Sequence, residues 1–400
     1  MSRSGPSGLI NPAAPKVLFT SFEPSGDDHA STVIAALKAR APQVQIFAWG
    51  GPKMERAGAT LIERTGDSAV MGMPGIGKII EHIRINRRVE EWLDSNRVQL
   101  HIPVDSPDAN FAICKLAKRR GIKVMHLVAP QVWAWREGRI RKLQKLTDLV
   151  LCILPFEEPY FNTRGVRAKF IGHPLFDIPL NLPALDAAAQ ALGPELAAGK
   201  PRLALMPGSR PAEIRRSVPP LLDAFIELKR DFPDLTAVMP LTRPQVFEEV
   251  QQIARARGGW PKGLGTLIGQ TDAAVRWCDF AIVASGTVTL QVARQRKPMV
   301  TFYRFGRSMQ LPYWAFGRLM FTTKLFTLPN LIAGRRIVQE LVPHFGGGEP
   351  LAAGVLKLMR QPGYADDQRA ALDEICKKFE GRRASDTAAE EICNLLGIIA

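Results

Sequence analysis

Residues 280–303 read FAIVASGTVTLQVARQRKPMVTFY. Phe280–Ala284 is a short apolar run, as expected of a buried strand. Small polar residues interrupt it, and an amphipathic segment runs from Val288 to Gln295. Lys297-Pro298 stops that segment, because proline cannot continue a helix, and Met299–Tyr303 reads as a second strand. The order is strand, tight turn, helix, strand. Ser285, Gly286 and Thr287 sit where the helix begins. A helix start presents unpaired N–H groups and the positive end of the helix dipole, which suits a phosphate. Gly286 lets a ligand come close to the backbone. An ordinary helix cap fits the same residues, and at this point both readings stand.

Working towards the N-terminus, the same alternation recurs. Lys16–Phe22 reads as a buried strand, Glu23-Pro24-Ser25-Gly26-Asp27 as a turn, and His29–Arg40 as a helix. This is how a doubly wound α/β domain opens. Ile46–Trp49 and Val98–Val104 are further strands, the second ending in Asp105-Ser106-Pro107-Asp108-Ala109-Asn110. Lys123–Val128 and Leu149–Leu154 continue the pattern. Between them lie two tryptophans and an arginine, in Gln131-Val132-Trp133-Ala134-Trp135-Arg136, and then a basic helix. His173, in Gly172-His173-Pro174-Leu175, reads as a structural histidine, since no ligand spacing surrounds it.

Residues 176–200 are rich in proline and alanine and read as a linker. The alternation then restarts: strand Arg202–Met206, turn Pro207-Gly208-Ser209-Arg210, helix Ala212–Arg230. Strands Leu235–Met239 and Gly265–Ile268 lead to the opening stretch. From Leu351 onward only helices are expected. The chain therefore reads as two Rossmann-like α/β domains, 16–175 and 201–345, with a helical tail over 346–400. Residues 1–15 have no apolar core of a signal peptide and read as a disordered tail.

Composition narrows the partners. Hydrophobic content of 46% and charged content of 23% are those of a globular protein with sizeable cores. The net charge of +15 favours anionic partners. Five scattered cysteines without a CxxC pair fit a reducing compartment, with no disulfide framework and no zinc site. No run of about 18 apolar residues occurs, so no membrane span is expected. Two basic amphipathic stretches, Lys78–Leu93 and Met309–Phe326, fit either a membrane surface or packed helices with a solvated face.

The chemistry follows from the strand ends. The second half offers anion holders at Ser209-Arg210, at Ser285–Thr287 and at Asn330. Arginine binds phosphate through two parallel hydrogen bonds, and helix starts add donors. The first half offers carboxylates at equivalent places, Glu23 and Asp105. A hydroxyl nucleophile needs a base, and a departing diphosphate needs donors. There is no DxD pair, no GxxxxGK[ST] and no GxGxxG. The residues alone thus reach a two-domain transferase for an anionic donor.

Motifs in one order then carry a resemblance. They are Glu23-Pro24-Ser25-Gly26-Asp27, Gly50-Gly51-Pro52-Lys53-Met54, Val70-Met71-Gly72, Asp105-Ser106-Pro107-Asp108, Gln131–Arg136, Leu154-Pro155-Phe156-Glu157, Gly172–Leu175, Pro207–Arg210, Ser285-Gly286-Thr287, Pro298-Met299-Val300 and Leu328–Arg335. From about Lys16 to His344 the chain resembles the lipid-A-disaccharide synthases, inverting glycosyltransferases of the GT-B fold. The resemblance implies two Rossmann-like domains facing across a cleft, with the last helices packing back on the first. It implies a UDP-activated 2,3-diacylglucosamine donor and a 2,3-diacylglucosamine 1-phosphate acceptor. The product is the β-1,6-linked lipid A disaccharide 1-phosphate, with UDP released and no metal or other cofactor. Asp105 and Glu23 match the catalytic acids, with Asp105 as general base. Arg210, Ser285, Gly286, Thr287 and Gln291 match the nucleotide site. Ser25, Asp27, Trp135, Arg136 and Asn330 match substrate-binding positions. The family works in the cytoplasm, peripherally on the inner face of the inner membrane, with an anionic membrane surface and no nucleic acid as partner.

Four departures mark a divergent member. Gln291 stands where the family has glutamate after SGTxTL. Pro24 replaces a small residue, Ala109 an aromatic one, and Val70–Gly77 lacks an acidic residue. A glutamine accepts one hydrogen bond through its carbonyl but has lost the carboxylate's charge. Another GT-B transferase, a UDP-sugar epimerase, or a nucleotide- or lipid-binding paralogue of low activity stays open as an alternative.

Overall fold

A computed structural model describes residues 14–65, 76–134, 137–193, 196, 198–304 and 323–398, and for 76–80 the backbone alone. Most of the expected tail, the Val70–Gly77 loop up to residue 75, Trp135, Arg136 and positions 309–322 of the second basic stretch lie outside the described residues.

The strands expected from short apolar runs, with two further edge strands, form two parallel sheets. In the first, β1 (Lys16–Thr20), β2 (Gln45–Gly50), β3 (Thr60–Arg64), β4 (Leu100–Pro103), β5 (Lys123–Leu127), β6 (Leu149–Cys152) and β7 (Ala168–Phe170) lie in the order β3-β2-β1-β4-β5-β6-β7. In the second, β8 (Arg202–Met206), β9 (Thr236–Leu241), β10 (Leu264–Ile268), β11 (Phe280–Ala284), β12 (Met299–Phe302) and β13 (Gln339–Leu341) lie in the order β10-β9-β8-β11-β12-β13. Both are Rossmann orders, in which the chain starts in the middle and winds outward twice. The stretch 280–303 became β11, the helix Val288–Arg294 and β12, with Ala281 beside Met299 in parallel register.

Each sheet is covered on both faces, which is why its strands read as apolar runs without alternation. Val17 and Phe19 of β1 join one core with Ile34 and Leu37 of the helix Pro24–Arg40. Leu18 points the other way, into a core with Trp49, Val89, Leu93 and Ile113. In the second sheet Leu203, Leu205, Met239 and Ile282 pack on Leu221 and Phe225 of the helix Pro211–Asp231 and on Leu351 and Val355 of the helix Glu349–Arg360.

The chain divides into two compact units, one running to Asp177 and resuming at Gly381, the other spanning Ile178–Glu380. The tail expected to return as a whole from 346 therefore splits. Helices Glu349–Arg360 and Tyr364–Lys377 belong to the second unit, and the helix Ala384–Leu396 packs on the first. Its Ala388, Ile392 and Cys393 share the core of Ala30, Val33 and Ile34. Asp177 fixes its start: one carboxylate oxygen accepts from the Ala384 amide (2.7 Å), the other from Ser385 (2.9 Å). The stretch read as a linker is also ordered in part. The helix Leu182–Gln190 lies in the second unit, where Asp186 pairs with Arg276 at 2.6 Å. Edge strands β3 and β13 went unread in the sequence, because their half-buried positions lack a clear apolar run. No described helix is long and apolar enough to cross a membrane.

Candidate active site

In open parallel sheets, ligands bind outside the carboxyl ends of the strands where the strand order reverses. The first sheet reverses between β1 and β4, the second between β8 and β11. Those strand ends lead into Glu23, Asp105, Arg210 and Ser285–Thr287, the first of the residues singled out in the sequence.

In the first unit β1 runs out through Ser21 and Phe22 to Glu23, at the start of the helix Pro24–Arg40. β4 runs out to Asp105 and Ser106. The Ser106 hydroxyl donates to Glu23 Oε1 at 2.8 Å, joining two loops 83 residues apart in sequence. Asp105 is half-buried. Its backbone is left-handed (φ 48°), as is that of Ser106 (φ 33°) and, at the end of neighbouring β5, that of Val128 (φ 65°). For residues other than glycine such conformations cost about 1–3 kcal/mol each, and they cluster at functional sites. Asn110, fully buried in the following helix, spans the turn: its side-chain amide donates to the carbonyls of Asp105 (3.1 Å), Val104 (3.3 Å) and Ser106 (3.4 Å). Behind it the Thr20 hydroxyl donates to Asn110 Oδ1 at 2.7 Å and lies 2.8 Å from His101 Nε2. Burial, then the neighbouring His126, push His101 down to about 3, so its ring is neutral.

Ser25 sits half-buried in the first turn of the same helix. Asp27 turns inward. Its two oxygens accept from the amides of Met54 (3.0 Å) and Lys53 (3.1 Å), capping the helix Pro52–Arg56. A Cβ at Gly51 would fall 2.3 Å from Asp27 Oδ2, so that motif's second glycine makes room for the cap. Two other motifs prove to be one construction. Trp133 donates its indole N–H to Glu157 Oε1 at 3.0 Å and meets Phe156 edge-to-face, while the Leu154 amide donates to Glu157 Oε2 at 3.0 Å. Burial pushes the Glu157 carboxyl up to about 7 against those hydrogen bonds. His173 has the structural role expected of it: Nδ1 accepts from the Leu175 amide at 3.1 Å, and burial pushes the ring down to about 3.

In the second unit β8 ends in Pro207-Gly208-Ser209-Arg210, with Ser209 and Arg210 exposed. Gly208 is left-handed (φ 95°), and a Cβ there would meet Glu213 Oε2 at 2.9 Å. The Arg210 guanidinium donates to Glu213 Oε1 at 3.1 Å. At the end of β11, Gly286 and Thr287 are exposed, and a Cβ at Gly286 would meet no described residue within 4 Å. Among the described residues, packing therefore does not require that glycine. The Thr289 hydroxyl donates to the Gly286 carbonyl at 2.7 Å and holds the turn. Gln291 is half-buried in the helix Val288–Arg294. At the end of β12, burial and the nearby Glu213 raise the Tyr303 hydroxyl, and Arg304 donates to the Arg216 carbonyl at 3.2 Å.

Asn330 does not join this group. It is fully buried, its carbonyl accepts from the amides of Ile337 (2.7 Å) and Val338 (2.9 Å), and its amide donates to the Val338 carbonyl (3.0 Å). Sequence reading gave no role to Thr20, Glu213, Ser106 or Asn110, although the last two stand in a quoted stretch. Asn110 carried one available signal, its place in the first turn of the helix directly after Asp105.

A family model described as lipid-A-disaccharide synthetase matches residues 17–386. The chain is 34% identical to the lipid-A-disaccharide synthase of Myxococcus xanthus over 395 residues, covering 97% of this chain and 99% of that one. With that of Pseudomonas savastanoi pv. phaseolicola it shares 37% over 377 residues, covering 94% and 96%. Among solved structures, the glycotransferase of kitacinnamycin superposes with a TM-score of 0.64 at 16% identity, over 96% of this chain and all of that one (100%). The UDP-GlcNAc 2-epimerase from Neisseria meningitidis bound to UDP-GlcNAc gives 0.61 at 12% identity, over 95% and 99%. At such identities the structural likeness speaks for the fold alone.

Proposed function

The chain belongs to the lipid-A-disaccharide synthetase family, glycosyltransferases of the GT-B fold, and from that premise we propose that it joins UDP-2,3-diacylglucosamine to 2,3-diacylglucosamine 1-phosphate. One coincidence carries the reading: four of the motifs that match the family, Glu23–Asp27, Asp105–Asp108, Pro207–Arg210 and Ser285–Thr287, follow the strands that flank the switch points of the two sheets.

Asp105 takes the proton of the acceptor hydroxyl as that oxygen forms its bond to the anomeric carbon. The bond from that carbon to the diphosphate breaks with inversion, and UDP leaves. Glu23, through Ser106, orients the loop that carries the base. Ser25 belongs to the same acceptor side. Arg210 and the Ser285–Thr287 turn receive the diphosphate, where a guanidinium and helix-start amides stabilise the charge that develops. Gln291 faces the nucleotide ribose. Trp135 and Arg136 keep the substrate-binding role that the resemblance implies for their motif, whose Trp133 is tied to Glu157. We place the protein on the cytoplasmic face of the inner membrane as a peripheral protein. The +15 net charge supports this, as does exposed Ile83 beside Arg84, Arg87 and Arg88 on the helix Ile76–Ser95.

The test is disaccharide formation by the purified full chain from the two acylated glucosamine substrates. UDP binding without any disaccharide would favour the nucleotide-binding paralogue that Gln291 motivates. Gln291→Glu is expected to tighten UDP several-fold, about 1 kcal/mol, since a charge-assisted hydrogen bond is roughly twice as strong as a neutral one. Calorimetry checks this, and weaker binding by the variant would refute the ribose role.

A further inference from the structure

The turn that carries Asp105 is strained, and the polar groups holding it are buried and directional. Asp105 and Ser106 are consecutive left-handed residues without a glycine between them, and Val128 beside them is a third. Such a backbone persists only where its surroundings over-determine it. Among the described residues, four ties contribute to this. The Val104 amide donates to the Thr20 carbonyl at 2.9 Å and the Asp105 amide to the Leu127 carbonyl at 3.0 Å. Ser106 donates to Glu23. The fourth is the Asn110 side chain, which reaches three successive carbonyls at once, that of Asp105 most closely.

The direction of that last tie is forced. Carbonyl oxygens only accept, so the NH2 group of Asn110 must face them and its oxygen must face Thr20. Thr20 then spends its proton on Asn110 Oδ1, and its lone pair accepts from His101 Nε2–H. A neutral His101 held as the Nε2–H tautomer completes the chain, and burial keeps it neutral. From β4 through β1 to the strained turn, every group has one role it can play.

We propose that Asn110, locked by Thr20 and His101, is the positioning residue of the reaction: it fixes the left-handed turn and thereby the direction in which Asp105 presents its carboxylate. The inference rests on the reading of Asp105 as the base. It assigns Asn110 no contact with substrate.

Asn110→Ala is expected to lower kcat about 10²-fold, the size of effect that a misplacement of about 1 Å produces. The KM for the donor and UDP affinity by calorimetry should hold, because both report on the other unit. Thr20→Val should lower kcat in the same direction and Thr20→Ser should restore it, since the hydroxyl alone is needed. In Asp105→Asn, adding Asn110→Ala should cost no further turnover, because a positioned base that is absent cannot be mispositioned. A purely structural Asn110 would instead lower thermal stability, leave kcat per folded enzyme unchanged and give additive losses. If Asn110→Ala does not fold, the Thr20→Val and Thr20→Ser pair decides. Equal kcat in that pair overturns the proposal. Turnover surviving in Asp105→Asn overturns the base reading itself, whereas loss there with wild-type kcat in Asn110→Ala overturns only the positioning role.

Discussion

Asp105→Asn is expected to lose turnover by about 10²–10⁴-fold, the usual contribution of a general base. Asparagine has the shape of the aspartate but cannot take up the acceptor's proton. The backbone ties of the turn run through the amide of residue 105 to Leu127 and through the carbonyls that Asn110 binds, so they survive the substitution. UDP affinity should stay at the wild-type value, because Arg210 and the Ser285–Thr287 turn belong to the other unit. Steady-state kinetics with both acylated substrates, alongside calorimetry with UDP, separate the two quantities. A variant that turns over at the wild-type rate would remove Asp105 from the mechanism, and one that loses UDP affinity would show damage beyond the base.

Asn330→Ala is expected to unfold the second unit at a markedly lower temperature. Three hydrogen bonds hold the approach to β13, and all three partners are backbone groups of Ile337 and Val338. Truncation strands two amides and a carbonyl in a fully buried place. Each of the three stranded groups costs roughly 1–3 kcal/mol, and because single substitutions rarely cost more than about 5, the loss is about 3–5 kcal/mol. For a unit of this size that lowers the melting temperature by roughly 6–20 °C. The effect spreads, because β13 also carries Glu340. One oxygen of that carboxylate accepts from the Phe326 amide (3.2 Å), the Thr327 amide (3.1 Å) and the Thr327 hydroxyl (3.1 Å), and so fixes the start of the helix Leu328–Ala333. Asn330 on that helix and Glu340 on that strand clasp each other's elements. Calorimetric unfolding of the variant checks the prediction. An unchanged melting temperature together with lost donor binding would return Asn330 to the ligand.

These two residues show what a sequence motif does and does not say. Asp105 and Asn330 both stand out in matched motifs, and the residue types alone permit a ligand role for each. Their surroundings separate them. Asp105 sits half-buried at a switch point on a strained turn, whereas Asn330 is enclosed with its amide committed to main chain. Asp27 resembles Asn330 in this respect, since both its oxygens are used by a neighbouring helix start. Trp133 and Glu157 belong to separate motifs that read as independent features, and they turn out to be two ends of one hydrogen bond.

The sequence by itself determined the alternation of strands and helices, the parallel buried character of both sheets and the family. It also located Glu23, Asp105, Arg210 and Ser285–Thr287 at strand ends. These are local properties: apolar runs, proline stops and turn residues act within a few positions of one another. Only the tertiary structure decided the order of the strands, and with it the fact that these ends flank the two reversals. It also decided where the tail divides, and that Asn110 and Thr20, 90 residues apart, hold the turn of Asp105. The physical reason is common to all three. Strand order, helix docking and buried polar networks are set by contacts between segments far apart in the chain, and no local window contains both partners.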